Sequence, residues 1–171
     1  MALTLAAACS GEPASPGPSD AAPGVDAAPV CTSGVHVDAN RQPGADMMPG
    51  HTCIACHAAE NAASGEQDAP VFAFAGTVYP SVHEPDLCAG TDAAGAQVVV
   101  TDARGRTIAA TVNQVGNFFA DADEAFAPPF RAEVRFAGRT RAMQHVQSDG
   151  DCNGCHTVDG TAGAPGRIAL P

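Results

Sequence analysis

Alternation of apolar and polar positions is concentrated in one stretch of the chain, residues 70–147. Val71-Phe72-Ala73-Phe74-Ala75-Gly76-Thr77-Val78-Tyr79 reads as a first strand closed by Pro80. Residues 97–101, 107–112, 117–120 and 131–136 follow as further strands, and a last short one is expected over 139–143. Asp102-Ala103-Arg104-Gly105 supplies a hairpin turn between the second and third. All seven phenylalanines, from Phe72 to Phe136, fall here, so this section alone has the apolar mass for a conventional core. The pattern predicts a mainly β protein: a small antiparallel β-sandwich flanked by two short segments with little regular structure.

The flanks carry a different composition. Residues 11–29 are almost entirely Ala, Pro, Gly, Ser and Asp, which cannot bury a core, so 10–30 is expected to be a solvated tether. Residues 31–69 form a first flanking segment. In it Pro49-Gly50 signals a turn, and Ala58-Ala59-Glu60-Asn61-Ala62-Ala63 continues one or two helical turns until Ser64-Gly65 ends them. The second flanking segment, 148–171, opens with Asp149-Gly150-Asp151, passes through a Gly/Ala-rich loop over 157–165 and ends in Arg167-Ile168-Ala169-Leu170, whose apolar residues should pack back on the sheet edge or on a cofactor.

Each flank holds the same short pattern: Cys53-Ile54-Ala55-Cys56-His57 in the first, Cys152-Asn153-Gly154-Cys155-His156 in the second. Two cysteines three positions apart on a helical turn can form thioethers to two haem vinyl groups, and the following imidazole can serve as proximal iron ligand. With 6 histidines in 171 residues, chance would place one after both Cys-x-x-Cys pairs only about 0.1% of the time. A four-ligand zinc site could use the same cysteines, and a thiol redox pair could use either alone; neither calls for histidine directly after each pair.

On these motifs the chain resembles the c-type cytochromes, specifically the small or modular multihaem kind. The resemblance implies two covalently bound haem c groups, attached at Cys53 and Cys56 and at Cys152 and Cys155, with His57 and His156 as proximal ligands. The first segment has too few apolar side chains to fold alone, so haem is expected to serve as its core. From Phe74-Ala75-Gly76-Thr77-Val78-Tyr79 through Ala96-Gln97-Val98-Val99-Val100-Thr101-Asp102 to Gly116-Asn117-Phe118, the middle resembles the transthyretin-like, carboxypeptidase-regulatory-type β-sandwich. That likeness implies a scaffold or binding module without catalytic residues.

A six-coordinate electron-transfer haem needs a second axial ligand, and methionine generally raises its potential. The candidates are His36, His51, His83, His145, Met47, Met48 and Met143. His83, after the first strand, and Met143, just before the second motif, rank first, then Met48, then His145. Met47-Met48-Pro49-Gly50 and Arg141-Ala142-Met143 resemble stretches preceding the motifs of certain bacterial multihaem lipoproteins, which adds weight to the methionines. His51 lies too close to Cys53 to pass round to the opposite face of its own haem, but could still reach the other. Six strands would bring the two haems to the same end of the sandwich. Arg167 could pair with a haem propionate, although an exposed charge is the expected reading.

Charge and cysteine count refine the picture. The formal net charge is -11, with eight arginines and no lysine, so nucleic acid is not an expected partner. An acidic carrier is steered toward a basic patch on a redox partner, unless the acidity serves solubility alone. Met1-Ala2-Leu3-Thr4-Leu5-Ala6-Ala7-Ala8-Cys9-Ser10 resembles the end of a bacterial lipoprotein signal, which implies lipidation at Cys9, with 1–9 a signal remnant; an ordinary terminus with a spare thiol is the alternative. The remaining pair, Cys31 and Cys88, is expected to form a disulfide in an oxidising compartment. The expectation is a dihaem electron carrier, not an enzyme. It would be held by lipid at the bacterial periplasm or cell surface, as an outer-membrane lipoprotein, with little chain left over for a substrate pocket and with other redox proteins, cytochromes or its own copies as partners. The alternatives are a haem-dependent peroxidase or sensor with one open iron, and a surface-binding sandwich with haems as secondary features.

Overall fold

The structure, a computed structural model, describes residues 31–39, 42–122 and 125–171. Cys9 and residues 1–30, over which a signal remnant and a tether are expected, lie outside the described residues. The middle of the chain forms two packed sheets. One holds β1 (Phe72–Tyr79) between β4 (Asn117–Asp121) and β7 (Ile168–Ala169); the other has β2 (Gln97–Thr101), β3 (Thr107–Thr111), β5 (Arg131–Phe136) and β6 (Arg139–Ala142) in the order β3-β2-β5-β6. Alternate residues of β2 (Val98, Val100), Ala110 of β3 and Val134 of β5 turn inward and meet Phe74, Val78 and Phe118 from the first sheet, with Phe130 closing the cluster. The β2–β3 turn is held by Asp102, whose Oδ1 accepts the amide N–H of Arg104 at 2.9 Å and of Arg106 at 2.8 Å.

The small β-sandwich expected from the alternation is present, with one departure from an all-antiparallel layout. Strand β7 pairs parallel to β1. Strand β4 occupies one edge of β1, and the apolar end of the chain satisfies the other, with Leu170 N–H donating to Tyr79 O at 3.3 Å. A two-residue strand has no period to detect, so it could be foreseen only as packing on the sheet edge.

Helix α1 (Cys53–Ser64) carries the first motif and ends at Gly65, whose φ of 75° lets its N–H reach Asn61 O at 3.0 Å. Asn61 then clamps the returning chain, its Nδ2 donating to Ala69 O at 3.0 Å and its Oδ1 accepting Ala69 N–H at 2.9 Å. The second motif forms a single turn, α2 (Cys152–Cys155). Cys31 and Cys88 are disulfide-bonded, with alpha carbons 5.2 Å apart. No helix among the described residues is long and apolar enough to cross a membrane.

Candidate functional site

Both motifs rest on β1, side by side. Ala75 N–H donates to Gly150 O at 3.0 Å, just ahead of the second motif. Gly76 leaves room for Cys152: a Cβ there would stand 2.9 Å from the Cys152 Cβ and 2.8 Å from the Phe118 ring. The first motif is tied to the second by Asp151, whose Oδ2 accepts the N–H of Ala55 at 2.9 Å. Thr52, at the N-cap of α1, makes no side-chain capping bond, so a carboxylate from the other motif supplies it. Adjacency of the two segments therefore follows from a shared strand and cross-linking polar groups, not from the number of strands.

A buried polar network joins the same parts. Thr77 Oγ1 donates to Asn117 Oδ1 at 2.8 Å and accepts the N–H of Gly50 at 2.8 Å. Asn153, inside the second motif, accepts Thr77 N–H at 3.0 Å and donates through Nδ2 to His51 O at 2.8 Å. Asn117 Nδ2 donates to Met47 O at 2.8 Å. The chain leading into the first motif is thus fastened to β1, β4 and the second motif at once.

Each motif opens on its own cavity. The first, about 490 Å³, is lined by Cys53, Cys56 and His57 together with Met47, Met48 and His51, and walled by Phe72 and Phe119. The second, about 450 Å³, is lined by Cys152, Cys155 and His156 together with Met143, His145 and Arg167. Both volumes lie within the roughly 300–1,000 Å³ of small-molecule and cofactor sites. His83, ranked first as a distal ligand, lines neither cavity: it is exposed on the loop after β1, with Nδ1 at 2.8 Å from Val158 O. His36 lines neither cavity, and His51 lines its own motif's cavity, not the other.

The two motif histidines are held in the same way. His57 Nδ1 lies 2.8 Å from Pro70 O, and His156 Nδ1 lies 2.8 Å from Gly166 O. A carbonyl oxygen can only accept, so each Nδ1 carries the proton and each Nε2 keeps its lone pair. That tautomer is the one a metal-ligating imidazole uses, with a backbone acceptor fixing the ring. Burial lowers the pKa of His156, against the bond to Gly166, which favours a neutral ligand.

Among the described residues the free cysteines are Cys53, Cys56 and Cys152, whereas Cys155 is disulfide-bonded, so a thioether at Cys155 starts from its reduced form. Burial, reinforced by Asp151, pushes the thiols of Cys53 and Cys152 up to about 12. Thiols so hard to ionise are poor redox nucleophiles, which counts against a thioredoxin-like pair. The zinc alternative finds no four-ligand cluster among the described residues. Among the described residues the one convergent group of three or more metal-ligating side chains is Cys31, Asp86 and Cys88, and its two sulfurs form the disulfide.

No family model, curated protein or solved structure matches this chain. Its reading therefore rests on the site itself. Arg167 corrects the expectation of an exposed charge: it is 6% exposed, with its guanidinium 4.5 Å from the Tyr79 ring centroid. Asp151, Asn153 and Thr77 were not singled out from sequence. Polar residues beside or within a Cys-x-x-Cys-His motif were the available signal, but their partners lie up to 102 positions away.

Proposed function

We propose that the protein is a dihaem c-type electron carrier, with one haem attached at each motif. The observation that carries this reading is the matched treatment of His57 and His156. Each is held by a backbone carbonyl at 2.8 Å, and each lines a separate cavity that also contains a methionine. Haem c, when bound, supplies an iron centre that gains and loses one electron.

The chain's contributions follow from its residues. Cys53 and Cys56, and Cys152 and Cys155, supply the attachment sulfurs, and the histidines supply the proximal nitrogens. Met48 for the first cavity and Met143 for the second are the favoured distal donors: of the candidates ranked foremost from the sequence, these two line a cavity, whereas His83 lines none. Phe72, 5.2 Å from the His57 ring and 5.0 Å from Phe119, helps exclude water from the first site. Arg167 offers the second cavity a buried cation for an anionic cofactor edge. Adjacency of the motifs makes the pair a short wire within one chain. Periplasmic or surface exposure, lipid attachment at Cys9 and redox proteins as partners belong to the same proposal, which gives the chain no catalytic role.

The test is a pyridine haemochrome assay with quantified protein, on material co-expressed with a cytochrome c maturation system, alongside the intact mass. Two covalent haems per chain are expected. No haem, or zinc in its place, overturns the reading. Carbon monoxide binding to the reduced protein would favour a peroxidase or sensor with an open iron.

A further inference from the structure

The two cavities differ in buried charge. The first is lined by Glu60, Asp68 and Asp121, all exposed, and by no arginine among the described residues. The second is lined by Arg141, Arg167, Glu133, Asp149 and Asp151. Exposed charges are screened by water and salt, and Glu133 is engaged by Arg135. Two charged side chains at the second cavity are buried: Asp151 at 7% and Arg167 at 6% exposure.

Asp151 sits next to Cys152 in sequence and bonds Ala55 of the first motif. Its carboxylate lines the second cavity but is turned to the first motif, and so lies between the two. Arg167 belongs to the second site alone. Its backbone N–H donates to Val82 O at 2.7 Å, its Nε donates to Glu84 O at 3.3 Å, and its guanidinium stacks on Tyr79. Among the described residues no carboxylate forms an ion pair with it. A buried guanidinium without a counter-ion is costly unless an anion completes it. The preceding residue, Gly166, holds His156 through its carbonyl, so one peptide positions both the imidazole and the buried cation.

We propose that Arg167 makes the second site the stronger electron acceptor of the pair, so that electrons pass from the first motif to the second. This rests on the dihaem reading above. In the transfer one electron leaves the first site, which is oxidised, and enters the second, which is reduced; no bond is made or broken. A one-electron redox protein loads the first site and another drains the second. A buried unit charge several ångströms from one centre and further from the other biases the equilibrium on the order of tenfold at an effective dielectric near 20.

The test is a spectroelectrochemical titration of the dihaem protein. Cys56→Ala leaves one vinyl on the first haem and tags it by a red-shifted α band; Cys152→Ala tags the second. The first tag should follow the lower midpoint and the second the upper. Arg167→Gln should lower the upper midpoint by about 59 mV, a tenfold change, and leave the lower in place, while Arg167→Lys retains most of the splitting. The reverse order of tags, or an Arg167→Gln protein whose midpoints move together or not at all, overturns the proposal. The tagged chains decide the order even if Arg167→Gln fails to fold. Two haems without the expected order refute this inference alone, whereas a chain without two haems removes the dihaem reading and this inference with it.

Discussion

Thr77 is the place where a single side chain holds both motif segments, and Thr77→Val tests that role. The substitution keeps the shape and deletes the hydroxyl. Gly50 N–H loses its acceptor at 2.8 Å and Asn117 Oδ1 loses its donor at 2.8 Å. Asn153 Nδ2 loses a longer bond of 3.2 Å but keeps His51 O at 2.8 Å. Two groups are therefore left unsatisfied around a residue that is 0% exposed. At about 1–3 kcal/mol for each such group, the expected loss is about 2–6 kcal/mol. Thr77→Ser keeps the hydroxyl and removes one methyl, for about 1 kcal/mol. Guanidinium unfolding should show a lower midpoint for Thr77→Val at an unchanged slope, and a melting temperature lower by roughly 4–24 °C. A Thr77→Val protein within about 0.5 kcal/mol of the parent, or one no worse than Thr77→Ser, would refute the reasoning.

Asp102 should shape the acid limb of stability. Burial opposes its ionisation, but the N–H groups of Arg106, Ala127 and Arg104 outweigh it and hold its carboxyl below the ordinary value. Its contribution is present above the ordinary carboxyl pKa and is lost as pH falls through the folded one, so unfolding midpoints against pH should drop in acid less steeply for Asp102→Asn than for the parent. Removing the Cys31–Cys88 disulfide, which spans 57 positions, should cost roughly 4 kcal/mol in chemical denaturation on the chain-entropy account. In the oxidised dihaem protein, Met143→Ala and Met48→Ala should each abolish the sulfur-to-iron charge-transfer band of one haem, while His83→Ala should leave both bands unchanged. Loss of a band in His83→Ala would reverse the ligand assignment.

The local elements were legible because their signals are local. Alternation marked the strands to within a residue or two, and Gly65 ended α1 where Ser64-Gly65 signalled a stop. The spacing of each Cys-x-x-Cys-His motif also set which residues one helical turn brings together, since that depends only on helical geometry. The disulfide partners followed from the number of cysteines left over, and the structure joins them.

What each motif faces was decided only in three dimensions. His83 and Met143 looked equivalent as residues near the ends of strands, yet one is turned to Val158 in the solvent and the other lines the second cavity. By residue type Arg167 is expected to be exposed; the parallel strand β7 that follows it carries its side chain over Tyr79 and under cover. Asp151 and Ala55 meet across 96 positions because both motifs lean on β1. By itself the sequence determined six of the seven strands and the two Cys-x-x-Cys-His turns. The tertiary structure decided by which contacts the two motifs become neighbours and that, among the described residues, a buried cation lines the second cavity and not the first, because burial and contact depend on how distant segments pack and not on the residues beside them in the chain.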